Sequence, residues 1–119
     1  MNLDYGRPSY IIEGELNQNN QIIIPVYLNG NEIDALIDTG ANEEYMDIGV
    51  AISLGSVFNG DAMVANLSFS EDKSGSLVLI HSNKRVYVGC GFDILIGMNL
   101  LKGCIITIEK DNTFTIEFN

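Results

Sequence analysis

Positive charge is scarce in this sequence and is nowhere clustered. The 119 residues include 16 Asp and Glu but only 6 Lys and Arg, so the formal net charge is −10. Nucleic acid would be repelled over most of such a surface, and we expect no nucleic-acid partner. The negative charge most simply keeps a small protein soluble, and the alternative is an acidic patch that recruits cationic peptides.

Cysteine and histidine are also scarce. Cys90 and Cys104 are 14 residues apart, no Cys-x-x-Cys pair occurs, and His81 is the only histidine. This composition argues against a zinc site and offers no disulfide framework, so we expect neither a metal nor an organic cofactor. Both cysteines are interpreted as small core residues, because neither has the neighbours that would activate it as a nucleophile paired with His81.

Long apolar segments are missing as well. No stretch of 18 apolar residues occurs, and residues 1–4 lack the basic start and apolar middle of a secretory signal. We therefore expect neither a membrane span nor export, and a cytoplasmic protein. The length predicts one domain, residues 1–119, with a single apolar core.

The chain does contain short apolar runs broken by Gly, Asn and Asp, the pattern of an all-β domain with tight turns. Asn29-Gly30 is the strongest hairpin signal, because a type I′ turn requires positive φ at both central residues. The strand that leaves this turn covers residues 32–37. Other strands are predicted at 10–12, 21–28, 63–70, 77–80, 85–89, 105–109 and 114–118, with turns at 71–76, 81–84 and 110–113.

Two short helices are predicted between these strands. Residues 47–54 have helical spacing of apolar side chains, with Asp47 as a possible N-cap and Gly55 as the stop. Residues 98–102 form one or two turns that end at Gly103. The terminal strand 105–109 could close the barrel of its own protomer or join a sheet shared by two copies, and the sequence does not separate these alternatives.

Two blocks of the sequence carry its chemistry. Residues 38–41, Asp-Thr-Gly-Ala, follow the apolar run 35–37, and a second apolar run, 94–96, ends at Gly97, 59 positions after the aspartate. A strand that ends in a carboxylate, a hydroxyl and a glycine places an acid at a tight turn, within reach of backbone N–H groups. Such an acid is a candidate catalytic group.

These two blocks resemble the active-site signature and the late glycine turn of the retropepsin-like (retroviral-type) aspartic proteases. The resemblance covers residues 22–108 and implies a retropepsin-like acid protease half-barrel with one or two short helices. It implies an aspartic endopeptidase that acts on a peptide or protein substrate. Because Asp-Thr-Gly occurs once in the chain, the second carboxylate must come from another copy, and we expect a homodimer in which two Asp38 carboxylates share a proton and activate a water.

The resemblance also implies roles for individual residues. The catalytic turn is Asp38, Thr39 and Gly40; the Thr39 hydroxyl either bonds across the dimer axis or satisfies a local backbone group. A flap that covers the substrate is expected at residues 58–62, with 74–76 as the alternative. The residues expected to bind substrate are Ala41, Asn42, Asn59, Gly60, Asp61, Ala62, Ile96 and Gly97.

One departure from the retroviral pattern is informative. Retroviral members carry an aspartate four positions after the catalytic one and an arginine after the late glycine, but Asn42 and Met98 stand here. Both partners of that charged pair are absent together, so no unpaired charge is left, and the turn must be braced in another way. The chain therefore resembles cellular members more than viral ones. The alternatives to an enzyme are an inactive peptide-binding or dimerisation module and an ordinary β domain.

Overall fold

The computed structural model describes residues 10–72, 74–82 and 91–118. The strand predicted over 85–89, Cys90 and the second half of the turn predicted at 81–84 lie outside these residues. The described strands are β1 (Tyr10–Glu15), β2 (Ile23–Leu28), β3 (Asn31–Ile37), β4 (Glu44–Met46), β5 (Ala62–Ser68), β6 (Ser76–Ser82), β7 (Ile94–Ile96), β8 (Ile105–Ile108) and β9 (Thr113–Phe118). The helices are α1 (Ile48–Ser53) and α2 (Met98–Leu101).

Six strands close into a barrel in the order β2-β3-β7-β4-β6-β5. Along β3, Ile33, Ala35 and Ile37 are buried while the residues between them are more exposed, because successive side chains of a strand point to opposite faces. β3 pairs antiparallel with β2 and parallel with β7. The end of β3, which leads into Asp38, is therefore held by a neighbouring strand on each side.

The turn and helix-cap residues predicted from the sequence adopt the expected conformations. Asn29 and Gly30 have φ values of 49° and 85°, which are the left-handed conformations that a type I′ hairpin turn requires. Helix α1 follows Asp47, whose carboxylate accepts two N–H groups of the first turn, and it stops before Gly55 at φ 77°. Both predicted helices are confirmed. Neither of these helices has the length or apolar character to cross a membrane, in the part of the chain that the structure describes.

The terminal strands form a separate three-stranded sheet in the order β1-β9-β8. β9 lies in the middle, pairing antiparallel with β1 on one side and with β8 on the other. Phe114 and Ile116 of β9 are buried in the same core as the barrel residues. The terminal hairpin therefore does not close the barrel, and among the described residues β8 is an edge strand.

Two local features differ from the sequence prediction. His81 and Ser82, predicted to begin a turn, continue β6, because they pair with β4 on one side and His81 pairs with β5 on the other. Strand β4 has only three residues, begins with an acid and shows no alternation long enough to predict it. Its partners, β6 and β7, are distant in sequence, so tertiary pairing alone determines it.

Candidate active site

Asp38 directly follows β3 and begins a tight turn. Its N–H donates to the carbonyl oxygen of Ile96 at 2.9 Å, which continues the pairing of β3 with β7. The N–H of Ala41 donates back to the Asp38 carbonyl oxygen at 3.2 Å and closes the turn. Inside it, the N–H of Gly40 donates to Asp38 Oδ1 at 2.9 Å. The barrel backbone thus fixes both the position of the acid and the orientation of its carboxylate.

One side of this turn faces solvent. Asp38 is half-buried, whereas Thr39 and Gly40 are exposed. A cleft of about 340 Å³ is lined by Asp38 and Thr39 and extends to Ile106 and Ile108 of β8. The cleft therefore connects the candidate catalytic acid with the edge of the terminal sheet.

Gly97 lies directly behind the turn, at the break between β7 and α2. It is buried, and a Cβ atom at this position would lie 2.7 Å from the carbonyl oxygen of Ala41 and even closer to that of Glu43. Its φ of −109° is open to any residue, so the lack of space, and not the backbone conformation, explains the glycine. Any side chain at Gly97 would therefore collide with the backbone of the active-site segment.

Backbone hydrogen bonds tie the segment after the turn to α2. The N–H of Met98 donates to the carbonyl oxygen of Ala41, and the N–H of Asn99 donates to that of Asn42, both at 2.8 Å. The positions of the missing charged pair, Asn42 and Met98, therefore still take part in the contact between these two segments, through main-chain atoms.

A buried carboxylate completes this contact. Glu44, the first residue of β4, is 0% exposed. Its Oε2 accepts the N–H of Gly97 at 3.3 Å, and its Oε1 accepts the side-chain amide Nδ2 of Asn99 at 3.1 Å. The sequence does not single out Glu44, because an acid next to Glu43 is typical of a solvated surface. The one available signal in the sequence was the absence of the charged pair at positions 42 and 98. Without that pair, another interaction has to hold the active-site turn in place.

Of the two flap candidates, the turn at residues 59–62 lies closer to the active-site segment. It is closed by a bridge between Asn59 and Ala62, with Gly60 at φ 67°. Ala62 pairs with His81, which pairs in turn with Tyr45 of β4. Strand pairing through β5, β6 and β4 therefore connects the turn at residues 59–62 to the segment that follows Asp38.

The other flap candidate, residues 74–76, lies at the opposite end of the β5–β6 hairpin. Gly75 packs closely against Asn66. Asn66 in turn donates its N–H to Asn29 Oδ1 at 2.9 Å and accepts the N–H of Asn29 at 2.8 Å. The 74–76 turn thus lies beside the Asn29–Gly30 turn, at the end of the β2–β3 hairpin opposite to Asp38, and the geometry favours residues 59–62.

The residues expected to bind substrate differ in their exposure. Asn42, Asn59, Gly60 and Asp61 are exposed, and Ala41 and Ala62 are half-buried. Ile96 is fully buried, so its side chain has no surface to offer a substrate. Its carbonyl oxygen holds Asp38 instead.

His81 contacts a carboxylate beside the active-site segment. Its Nε2 lies 2.7 Å from Glu43 Oε2, and its ring packs on Tyr45 with centroids 5.8 Å apart. The two paired side chains are 28% and 50% exposed, so the pair contributes only about 0–1 kcal/mol to stability. It nevertheless links β6 to the segment between Asp38 and β4.

Cys104 is half-buried and packs against the core. Burial raises the pKa of the Cys104 thiol, which disfavours the thiolate that a nucleophile requires. Among residues 10–72, 74–82 and 91–118, no group of three His, Cys, Asp or Glu side chains is arranged to hold a metal ion.

Comparison with known proteins finds similarity in structure. No protein-family model matches the sequence, and the search of curated proteins gave no significant match. Among solved structures, the chain is similar to a retropepsin-like aspartic protease from Rickettsia conorii, with a TM-score of 0.69 and 18% identity over 93% of this chain and 92% of that one. It is also similar to the retroviral protease-like domain of Ddi1 from Leishmania major, with a TM-score of 0.58 and 17% identity over 76% of this chain and 80% of that one. The fold is therefore retropepsin-like, and non-viral proteins share it.

Proposed function

We propose that this chain is an aspartic endopeptidase that works as a homodimer. The observation that carries the proposal is the setting of Asp38. A half-buried carboxylate stands at the end of a barrel strand, its Oδ1 accepts the N–H of Gly40 at 2.9 Å, and the fold around it is retropepsin-like. Asp-Thr-Gly occurs once in the sequence, so a second copy supplies the second carboxylate.

Two Asp38 carboxylates within hydrogen-bonding reach divide the chemistry between them. They share one proton, because two like charges at that distance do not both ionise. The ionised carboxylate takes a proton from a water molecule whose oxygen attacks the scissile carbonyl carbon, and the protonated one gives its proton to the carbonyl oxygen. The tetrahedral intermediate then breaks its C–N bond as the leaving nitrogen takes up the proton that the first carboxylate removed from water, while the second carboxylate takes a proton from a hydroxyl of the intermediate. The pair thus returns to its starting state. The enzyme forms no covalent bond to the substrate.

The surface around the turn supports a second copy as the partner. Thr39 and Gly40 are exposed, and the cleft beside them reaches β8. On this edge strand Ile105 and Ile108 are 55% and 57% exposed. Among the described residues this edge has no partner strand, and an unpaired edge with apolar side chains favours strand pairing. A two-fold axis next to β8 would bury these side chains and bring the two turns together, with the Thr39 hydroxyls bonded across the axis.

We further propose that the substrates are extended peptides with apolar residues on both sides of the cut. The turn at residues 59–62 acts as the flap that covers the substrate and excludes water. Its exposed residues Asn59, Gly60 and Asp61 supply polar backbone and side-chain groups for this contact. Ala41 and Asn42 directly follow Gly40, and we propose that they also contact the substrate.

Replacing Asp38 with asparagine tests the proposal. Wild-type protein should cleave a library of apolar peptides at some pH between about 3 and 8, and pepstatin should inhibit the cleavage. Asp38→Asn should abolish cleavage while the fold and the dimer persist, because the amide is nearly the same size but cannot act as base or acid. Asp34→Asn is the matched control, since Asp34 is exposed on the same strand, and it should cleave like wild type.

Three outcomes would count against the enzyme. Wild-type protein without pepstatin-sensitive cleavage at any of these pH values, or full activity in Asp38→Asn, would overturn the proposal. A protein that binds extended peptides without cleaving them would instead be a peptide-binding module that adds a strand to its exposed edge. Sedimentation at concentrations on the order of 10 µM gives an independent check, because a protein that stays monomeric there lacks the second carboxylate.

A further inference from the structure

We infer that Glu44, together with Asn99, is a positioning residue for the Asp38 turn. This inference rests on the proposed function and concerns how each protomer keeps its own catalytic turn in place. Neither residue touches the cleft beside Asp38, so each would act through the backbone that supports the acid.

Glu44 stands out because of its burial. At 0% exposure it is the one buried charged residue in the described part of the chain. Removing a carboxylate from water is costly unless hydrogen bonds or an opposite charge compensate it. Its partners among the described residues are two neutral donors, the N–H of Gly97 and the side-chain amide of Asn99. An apolar side chain would be cheaper to bury, but it would leave the Gly97 N–H without its acceptor.

The two hydrogen bonds join the segments that support Asp38. Glu44 begins β4, only six residues after Asp38, and Gly97 follows Ile96, whose carbonyl oxygen accepts the N–H of Asp38. The loop 41–43 is therefore held at its start by the catalytic turn and at its end by the Glu44 carboxylate. Without that carboxylate, the loop would keep its backbone contacts to α2 and the contact of Glu43 with His81.

Asn99 holds the same loop at two points. Its main-chain N–H donates to the carbonyl oxygen of Asn42 at 2.8 Å, and its side-chain Nδ2 donates to Glu44 Oε1 at 3.1 Å. Asn99 is exposed as a whole residue, so filling the apolar core does not explain its side chain. The hydrogen bond between the Asn99 amide and the buried Glu44 carboxylate is explained by the restraint that it places on the conformation of the loop 41–43.

Three variants test this pairing: Glu44→Gln, Asn99→Asp and the double variant that combines them. Glu44→Gln alone should keep both hydrogen bonds, because the Asn99 amide can turn over and offer its oxygen to the amide introduced at position 44. In Asn99→Asp two carboxylates face each other. The double variant restores both bonds with the donor and acceptor exchanged, because the amide introduced at position 44 can accept the N–H of Gly97 and donate to the carboxylate introduced at position 99.

The kinetic expectation separates positioning from general stability. With each protein confirmed folded and dimeric at the assay temperature, Asn99→Asp should lower kcat on the order of tenfold to a hundredfold and leave KM within about twofold, because misplacing a catalytic group affects the transition state most. Glu44→Gln should stay close to wild type. The double variant should recover most of the lost kcat. Glu32→Gln is the matched control, since Glu32 is exposed on β3, and it should leave kcat unchanged.

Amide hydrogen exchange at neutral pH gives a readout that does not depend on catalysis. The N–H groups of Gly40 and Met98 should exchange faster in Asn99→Asp and return to wild-type rates in the double variant, because their acceptors, Asp38 Oδ1 and the Ala41 carbonyl oxygen, belong to the braced segments. If Asn99→Asp does not fold, Asn99→Ala, which removes the donor to Glu44, takes its place in the comparison.

Unchanged kcat and unchanged exchange in folded Asn99→Asp would overturn the inference, as would a double variant no better than Asn99→Asp. If wild-type protein cleaves nothing, the proposed function fails, and the exchange rates still decide whether Glu44 and Asn99 hold the turn.

Discussion

At the scale of single residues, two glycines in and behind the Asp38 turn have little room for a side chain, and the atoms that surround them differ. A Cβ atom added to Gly40 would lie 3.2 Å from Asp38 Oδ1, the oxygen that Gly40 already binds through its N–H. A Cβ atom added to Gly97 would meet the backbone carbonyl oxygens of Ala41 and Glu43. The first collision involves a movable carboxylate, whereas the second involves fixed main chain, so the two sites should respond differently to the same substitution.

Alanine at each glycine should therefore separate activity from stability. Gly40→Ala should change the free energy of unfolding by no more than about 1 kcal/mol, yet reduce kcat by at least about tenfold, because it displaces the carboxylate. Gly97→Ala should cost more than about 3 kcal/mol of stability. Denaturant unfolding and peptide cleavage measure the two effects. A stable Gly97→Ala protein, or a fully active Gly40→Ala enzyme, would contradict this account.

At the scale of elements, the turn between β8 and β9 fixes the strand that we propose as the dimer edge. Asn112 in this turn has φ 67°. The Asp111 carboxylate accepts the Thr113 hydroxyl at 2.6 Å and the Thr113 N–H at 3.1 Å. The hydrogen bond from the Thr113 side chain, followed by that from its backbone, lowers the pKa of Asp111 below its ordinary value of 3.8.

This lowered pKa predicts a pH-dependent contribution of the turn to stability. A carboxyl group with a depressed pKa in the folded state stabilises the protein above its unfolded-state pKa, and the contribution is lost as pH falls through the folded-state pKa. The stability difference between wild type and Asp111→Ala should therefore stay constant from neutral pH down to about 5 and shrink below about 3.8. Denaturant unfolding across this range measures it. Thr113→Val is the control for the cause, since it removes only the hydroxyl and should reproduce part of the effect; a difference that does not vary with pH would contradict the assignment.

At the scale of the whole molecule, the barrel and the terminal sheet have separate tasks in the proposed enzyme. The barrel holds Asp38, Gly97 and Glu44 in one fixed arrangement. The sheet β1-β9-β8 offers an apolar edge beside the cleft. The formal charge of −10 on each chain opposes association, so a dimer should form more tightly as salt screens the repulsion.

A lysine on the edge strand should weaken the proposed dimer without unfolding the protomer. Ile108 is 57% exposed, and burying an isoleucine contributes about 1.5–3 kcal/mol. Ile108→Lys should therefore raise the dimer dissociation constant on the order of tenfold or more, as measured by analytical ultracentrifugation. Val64→Lys is the matched control, because Val64 is 64% exposed on β5 and should leave association unchanged. Equal dissociation constants for wild type and Ile108→Lys would place the contact elsewhere.

Features that depend on neighbouring residues could be predicted from the sequence. The Asn29–Gly30 turn, the Asp47 cap and the glycine that ends each helix follow from conformations which those residues adopt on their own. The strand that delivers Asp38 follows from its alternation, because that pattern already specifies a buried face. For the same reason, an all-β domain could be predicted from short runs and turns, whereas the retropepsin-like fold was implied by the resemblance of two sequence blocks.

Other features were decided only by tertiary structure, because they depend on residues far apart in the chain. The hydrogen bonds of Glu44 are made with residues 53 and 55 positions away. The residues next to Glu44 in the sequence do not indicate that its side chain is buried. The pairing of β4, the continuation of β6 through His81 and Ser82, and the place of β8 at a sheet edge depend likewise on distant strands. The sequence by itself thus determined where the candidate acid stands on its strand. The packed fold decided what holds it, because burial and hydrogen-bond partners exist only once remote segments meet.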